Sequence, residues 1–338
     1  MDKQKVFVGL SGGVDSAVSA HLLKEAGYDV TGVFIRGWEP NFLPCTGAAD
    51  RLSSMQVAAH LGIPFKTYDL SEEYKTKVVD YFVNEYREGR TPNPDVMCNR
   101  VIKFGAMWDL ARADGADYIA TGHYAQIVDV GENKQLAVSK DSEKDQTYFL
   151  WTLTPDDLEH TLFPVGNLKK NEVRATAKKI KLPNAERKDS QGLCFLGHVD
   201  MKSFLSRYLP EVHGDIVDLQ GTKIGEHDGA WFYTLGQHVP QATGERLFVV
   251  KRDVANQTLV VSHKPRGGTR SYPLREANWI HRAPKSKLFA RYRYRQELLP
   301  VIVSDNVVVF GQDELIAEGQ SIVFYTPGGA VEGGAIIG

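Results

Sequence analysis

The chain opens on Val6-Phe7-Val8-Gly9-Leu10, a short continuous apolar run of the kind that forms a strand buried on both faces. From Ser16 to Glu25 apolar positions recur at helical spacing, and Val30 to Ile35 is again strand-like. A second helical pattern from Ala48 to Leu61 leads into a strand pattern from Phe65 to Leu70. Strands alternating with helices predict βαβ units around a parallel sheet, so the first part is expected to be α/β. Tyr118-Ile119-Ala120-Thr121 reads as a later strand of that sheet, ending at Gly122-His123. From about His213 the pattern changes to short strands separated by Gly, Asp and Asn turns. Three domains are therefore expected, at 1–210, 211–270 and 271–338.

Composition narrows the picture. A chain of 338 residues exceeds what one core usually supports, and a hydrophobic fraction of 42% with 24% charged residues is that of an ordinary soluble protein. No apolar run approaches membrane-spanning length and the first residues lack a signal-peptide pattern, so no membrane association and a cytoplasmic location are expected. Three cysteines, Cys45, Cys98 and Cys194, are too few for a disulfide framework and include no CxxC pair. The net charge of −2 hides an uneven distribution: Lys264 to Glu297 holds ten Lys/Arg against two Glu, whereas Val301 to Gly338 holds five Asp/Glu and no Lys/Arg. The first of these stretches suits phosphates.

Between the first strand and first helix lies Ser11-Gly12-Gly13-Val14-Asp15-Ser16. A tight glycine turn at a helix N-terminus lets backbone N–H groups approach phosphate oxygens, Ser11 and Ser16 add hydroxyl donors, and Asp15 is placed to hold Mg²⁺ against phosphates. The lysine of GxxxxGK[ST] is missing and GxGxxG is absent, which disfavours a P-loop kinase and a dinucleotide site. Read without a ligand, the segment is a plain strand-to-helix turn.

Thr91-Pro92-Asn93-Pro94-Asp95-Val96-Met97-Cys98-Asn99 carries two prolines that make the approach to a following helix rigid. A helical turn would bring Asp95 and Cys98, three apart, to one side, a carboxylate beside a thiol. Taken alone, a cysteine such as Cys98 is more often a buried structural thiol. Lys188-Asp189-Ser190-Gln191-Gly192-Leu193-Cys194-Phe195-Leu196-Gly197 sets a second thiol between glycines in a loop-like stretch. Arg291-Tyr292-Arg293-Tyr294-Arg295 alternates with period two, so on a strand the arginines would share one face, as a phosphate-facing ridge or as an ordinary exposed edge.

The phosphate loop resembles the signature of the N-type ATP pyrophosphatases. Together with the two cysteine segments and with Ala120-Thr121-Gly122-His123-Tyr124, Lys144-Asp145-Gln146-Thr147-Tyr148-Phe149-Leu150 and Tyr233-Thr234-Leu235-Gly236-Gln237, it resembles the tRNA-specific 2-thiouridylases, called MnmA or, in mitochondria, TrmU. The ordered matches run from residue 6 to about 237. The resemblance implies a Rossmann-like N-type ATP pyrophosphatase domain with a parallel sheet, a small central α+β domain and a C-terminal β-barrel-like domain contacting tRNA. It implies ATP and Mg²⁺ as cofactors, and as partners tRNA, through the wobble uridine of its anticodon stem-loop, and a sulfur donor, either a cysteine desulfurase or a relay protein.

By the same match, ATP-binding positions are Gly9, Leu10, Ser11, Gly12, Gly13, Val14, Asp15, Ser16, Ile35 and Gly122. Cys194 would carry a persulfide, Cys98 would release its sulfur through a disulfide, and Asp95 would be the general base. Asn93, Pro94 and Asp95 would meet the target base; His123, Lys144, Asp145, Gln146, Arg293, Tyr294 and Gln320 would contact tRNA. Cys45 is expected to be structural. An alternative keeps the substrate and uses Cys98, Cys194 and a third ligand such as Asp95 to hold an iron–sulfur cluster. After Gly236-Gln237 the chain departs from the family's usual Arg-Lys-Gly, with His238-Val239-Pro240-Gln241 instead. Other readings are a pyrophosphatase acting on a small metabolite and a non-enzymatic tRNA binder with a vestigial loop.

Overall fold

A computed structural model describes residues 3–42, 47–189, 200–239, 246–265, 267–281 and 288–338. In the first part β1 (Lys5–Gly9), β2 (Asp29–Arg36), β3 (Phe65–Asp69) and β4 (Tyr118–Ala120) lie with α1 (Val14–Glu25) and α2 (Gly47–Leu61) as the connections after β1 and β2. A hairpin follows, β5 (Gln126–Val130) and β6 (Asn133–Ala137), and then the short β7 (Thr161–Leu162). The five-stranded sheet has the order β3-β2-β1-β4-β7 and is parallel throughout. Strands after β1 extend the sheet first to one side and then, with β4, to the other. The crevice at the carboxyl end of β1 is thus the switch point at which open α/β sheets bind ligands.

The apolar run of β1 is explained by two cores. Val6, Val8 and Leu10 point into one with α1 and α2, and Phe7 into the other, as the two-residue period of a strand requires. The central unit is a five-stranded sheet in the order β10-β11-β12-β8-β9, built from β8 (Gly214–Val217), β9 (Lys223–His227), β10 (His238–Val239), β11 (Leu247–Asp253) and β12 (Thr258–Ser262). Six antiparallel strands close the last unit into a barrel: β13 (Thr269–Trp279), β14 (Leu288–Arg291), β15 (Leu299–Ser304), β16 (Val307–Glu314), β17 (Ser321–Tyr325) and β18 (Val331–Ile337). The expected fold class is the observed one. Among the described residues no helix is long and apolar enough to cross a membrane.

The barrel docks on the first unit through buried polar contacts. Tyr148 donates its hydroxyl to the carbonyls of Tyr292 and Ser321 at 2.9 and 3.1 Å, and Asn278 Nδ2 donates to those of Trp151 and Leu153 at 2.8 and 2.9 Å. Arg291 pairs with Asp145 at 2.8 Å, with side-chain exposures of 9% and 3%.

These contacts correct two sequence expectations. The Arg291 to Arg295 segment is not a strand with three arginines on one face: β14 ends at Arg291, Gln296 Oε1 accepts from the amides of Tyr292 and Arg293 at 3.0 and 3.1 Å, and Arg295 is left-handed at φ 63°. The Gln296 side chain thus turns the chain, leaving Arg293 and Arg295 exposed and Arg291 inward. Asp145 also faces inward, accepting from Thr147 Oγ1 at 2.8 Å and from the Ser139 amide at 3.1 Å, so its carboxylate belongs to the domain contact rather than to a tRNA-facing surface.

Arg291→Met is accordingly expected to destabilise the protein by about 3–5 kcal/mol, because it leaves Asp145 charged and buried. Denaturant unfolding checks this, and a loss below about 1 kcal/mol, the range of surface pairs, would show that the pair is solvated.

Candidate active site

The phosphate loop is shaped by what holds Gly12. Its carbonyl accepts from Asn184 Nδ2 at 2.8 Å, Ser53 Oγ at 3.0 Å and Arg187 at 3.3 Å, which turns the next amide, Gly13 N–H, to the opposite side, where it meets Ser11 Oγ at 3.4 Å. Gly12 has φ 77°, and a Cβ there would come within 2.8 Å of the Asp50 carbonyl, so only glycine fits. Ser16 Oγ donates to the Gly13 carbonyl at 3.2 Å, holding the first turn of α1 against the loop. Gly122, at the end of β4, packs so closely that a Cβ would lie 2.6 Å from the Ser16 amide nitrogen.

Beyond the loop opens a cavity of about 610 Å³. Its wall includes Gly9, Leu10, Ser11, Gly13, Val14, Asp15 and Ser16, the apolar Val33 and Ile35 of β2, and Gly122, His123, Lys144, Gln146, Asp95 and Tyr294. Residues from distant segments, chosen from the sequence for two different ligands, therefore share one space. Gly12, Asn93, Pro94, Cys98, Asp145, Arg293 and Gln320 are not on that wall. Asn93 and Gln320 instead converge on the hydroxyl of Tyr148. Cys194 and Cys45 lie outside the described residues.

Asp15 accepts from Tyr124 OH at 2.9 Å, and Lys170 Nζ reaches its two oxygens at 2.7 and 2.8 Å. The same Lys170 reaches Asp189 at 2.8 Å, and Asp189 also binds Lys144 at 2.9 Å and Arg174. Burial pushes Asp189 up, but the hydrogen bonds from Lys170 and Lys144 outweigh it and hold its carboxyl well below the usual range. Burial and the neighbouring Asp15 push the Tyr124 phenol far up, so Tyr124 stays a neutral donor. Lys170 was not singled out from the sequence. Its only signal there is two carboxylates in need of a cation, and nothing in spacing says which lysine supplies it.

Another part of the wall is a helix. Asn93 caps it, its Oδ1 accepting from the amides of Asp95 and Val96 at 3.1 and 3.2 Å, with Pro94 in the first turn, where no amide donor is needed. Helix Pro94–Cys98 continues into wider i→i+5 turns over Asn99–Ala106. In a regular helix of 3.6 residues per turn a spacing of four drifts around the axis; the wider turns take up that drift, so Asp95, Asn99, Lys103 and Met107 all line the cavity. Cys98, on the same helix, is fully buried in the core with Ile102 and Tyr148 and is not on the cavity wall.

His123 keeps one edge on the cavity and is otherwise enclosed. Nε2 lies 3.5 Å from Lys103 Nζ and Nδ1 lies 2.7 Å from Thr121 Oγ1. An ammonium only donates, so Nε2 accepts and the proton resides on Nδ1. Burial first, and the Lys103 charge second, hold the imidazole well below 6.5. Because the folded value is depressed, this histidine's contribution to stability is present above pH 6.5 and is lost as pH falls through and below that value. The His123 Cε1–H resonance is expected to stay at its neutral position from about pH 8 to 6, and a transition near 6.5 would contradict the enclosure.

Tyr294 enters from the barrel. Its ring meets Phe149 at 4.8 Å between centroids, and the Arg295 guanidinium lies 5.1 Å from its centroid, over the ring.

Three family models match in chain order: the tRNA methyl transferase HUP domain over residues 4–198, the tRNA methyl transferase PRC-barrel domain over 202–263, and the aminomethyltransferase beta-barrel domain over 269–337. Fold and cavity thus define a HUP-domain protein carrying two β-rich units. Proteins named tRNA-specific 2-thiouridylase MnmA are similar over nearly their whole length. That of Listeria innocua is 43% identical over 349 residues, 98% of this chain and 94% of its own. Those of Halalkalibacterium halodurans and Proteus mirabilis are 44% and 41% identical, covering 99% of this chain and 95% and 97% of theirs. The chain belongs to the MnmA family of tRNA-specific 2-thiouridylases and is an enzyme of that family.

Proposed function

We propose that the enzyme converts the wobble uridine, U34, of tRNAs for Lys, Glu and Gln to 2-thiouridine, consuming ATP to AMP and pyrophosphate. The observation that carries this reading is that the phosphate loop and Asp95 line one and the same cavity. ATP lies with its phosphates on the Ser11 to Ser16 loop and its adenine toward Val33 and Ile35. Asp15 is the Mg²⁺ ligand: one carboxylate completed by phosphate oxygens and water is the donor set magnesium prefers, and the ion neutralises phosphate charge when bound. With Mg²⁺ bound, Asp15 would give up its ion pair with Lys170, which would stay paired with Asp189.

The uracil O2 attacks the α-phosphorus, the bond to pyrophosphate breaks, and the N3 proton passes to Asp95. A urea-like C2 carbonyl has a poor leaving group, and the O-adenylate supplies a good one. The terminal sulfur of a persulfide on Cys194, delivered by a cysteine desulfurase or a relay protein, attacks C2 and AMP departs. The Cys98 thiolate attacks the Cys194 sulfur, which breaks the S–S bond to the transferred atom, leaves 2-thiouridine and forms a Cys98–Cys194 disulfide. A thiol reductant resets the pair. Cys98 is fully buried, so its reaction with Cys194 requires that the packing around it open first.

The test is product analysis with α-labelled ATP. AMP is expected with transcripts carrying U34 and not with the same transcripts carrying C34. ADP as the product, or equal cleavage with both, would overturn the reading.

A further inference from the structure

Among buried side-chain polar atoms without a hydrogen-bond partner in the described residues, Asn99 Oδ1 belongs to the one residue that lines the cavity. Asn99 is only 2% exposed. Its orientation is set by the other end of the amide: Nδ2 donates to the Phe149 carbonyl at 2.9 Å, and flipping it would set two oxygens against each other. The unmatched group is therefore an acceptor. A buried acceptor without a donor costs stability in the free protein, a cost retained where a ligand supplies the missing donor.

We propose that Asn99 is a specificity-determining residue whose Oδ1 accepts the N3–H of the target pyrimidine. This deepens the reading given under Proposed function and rests on it for the identity of the ring. Asn99 lies one helical turn from Asp95 on the same wall, its backbone amide donating to the Asp95 carbonyl, so an atom bound at Oδ1 is next to the carboxylate that removes its proton. A uracil ring carries a donor at N3, and a cytosine ring carries an acceptor there. Two acceptors facing each other in a buried site repel, so one oxygen separates the two bases. Because Oδ1 is shielded from water, the base has to part the packing around Asn99, where Phe149 is its hydrogen-bonded neighbour and the Tyr294 ring rests on Phe149. Entry is then an induced fit that only a ring with the matching donor completes.

Asn99→Leu, close in volume, removes the acceptor. In the full-length enzyme kcat/KM for pyrophosphate release with a U34 anticodon stem-loop is expected to fall on the order of 10²-fold or more, with ATP affinity measured without RNA held within about twofold. A loss confined to melting temperature and ATP affinity, or an unchanged kcat/KM, would overturn the assignment. A second measurement needs no variant: wild-type protein should bind a stem-loop with 3-deazauridine at position 34, which has C–H in place of N3–H, about tenfold or more weakly than the uridine form. Equal binding of the two would also overturn it. If the wild type releases no pyrophosphate with any U34 RNA, the reading under Proposed function fails, and the binding comparison still decides the role of Asn99.

Discussion

Cys194→Ser is expected to yield no 2-thiouridine while retaining tRNA-dependent cleavage of ATP to AMP. Adenylation uses the phosphate loop and Asp95, whereas sulfur transfer needs a thiol, because a serine hydroxyl cannot carry a persulfide and is a far weaker nucleophile than a thiolate near neutral pH. Cys98→Ser should still accept labelled sulfur on Cys194 and then stop, since nothing breaks the bond between Cys194 and the transferred sulfur. Cys98 is fully buried, so a serine hydroxyl there has to find a partner, and the melting temperature of this variant is read beside its activity. Cys45→Ser should stay active. Nucleoside mass spectrometry beside AMP release separates these outcomes. Appreciable 2-thiouridine from Cys194→Ser removes the persulfide, and iron in the wild type that is lost together with activity in either variant favours a cluster.

Asp15→Ala is the second large effect, with pyrophosphate release expected to fall by about 10²–10³-fold or more, the usual cost of deleting a group that steadies charge in the transition state. Folding should survive, because Lys170 remains paired with Asp189 at 2.8 Å and the loop's shape depends on Gly12, Ser53 and Asn184 rather than on the Asp15 carboxylate. Asp15→Asn keeps an acceptor for Tyr124 OH and loses the charge, so it should fold as well and remain nearly as inactive. Wild-type pyrophosphate release by either variant would remove Asp15 from the phosphate chemistry.

Much of this was readable from the chain alone. The β1, α1 and β2 pattern placed the phosphate loop at the carboxyl end of a central strand, and strand pairing put it at the switch point of the sheet. The two prolines before Asp95 announced a fixed helix start, and Asn93 proved to be its cap. What stayed hidden depends on contacts across long separations. Lys170 is joined to Asp15 over 155 positions, and Arg291 to Asp145 over 146, with no periodicity linking either pair. The period-two rule misread Arg291 to Arg295 because one side chain, Gln296, bends the backbone there. Asn99 closes the Thr91 to Asn99 segment and went unassigned although it lies one ordinary helical turn past Asp95, whereas Lys103 stays on that face only through the wider turns that follow.

The most direct test counts products. Wild-type enzyme, purified without oxygen, is given ATP, unmodified U34 tRNA and a persulfide-bearing sulfur donor, and 2-thiouridine at position 34 is measured against AMP and against iron in the protein. One AMP for each 2-thiouridine, from iron-free protein, is the predicted result. Thiolation without AMP, or thiolation that requires iron, would contradict it.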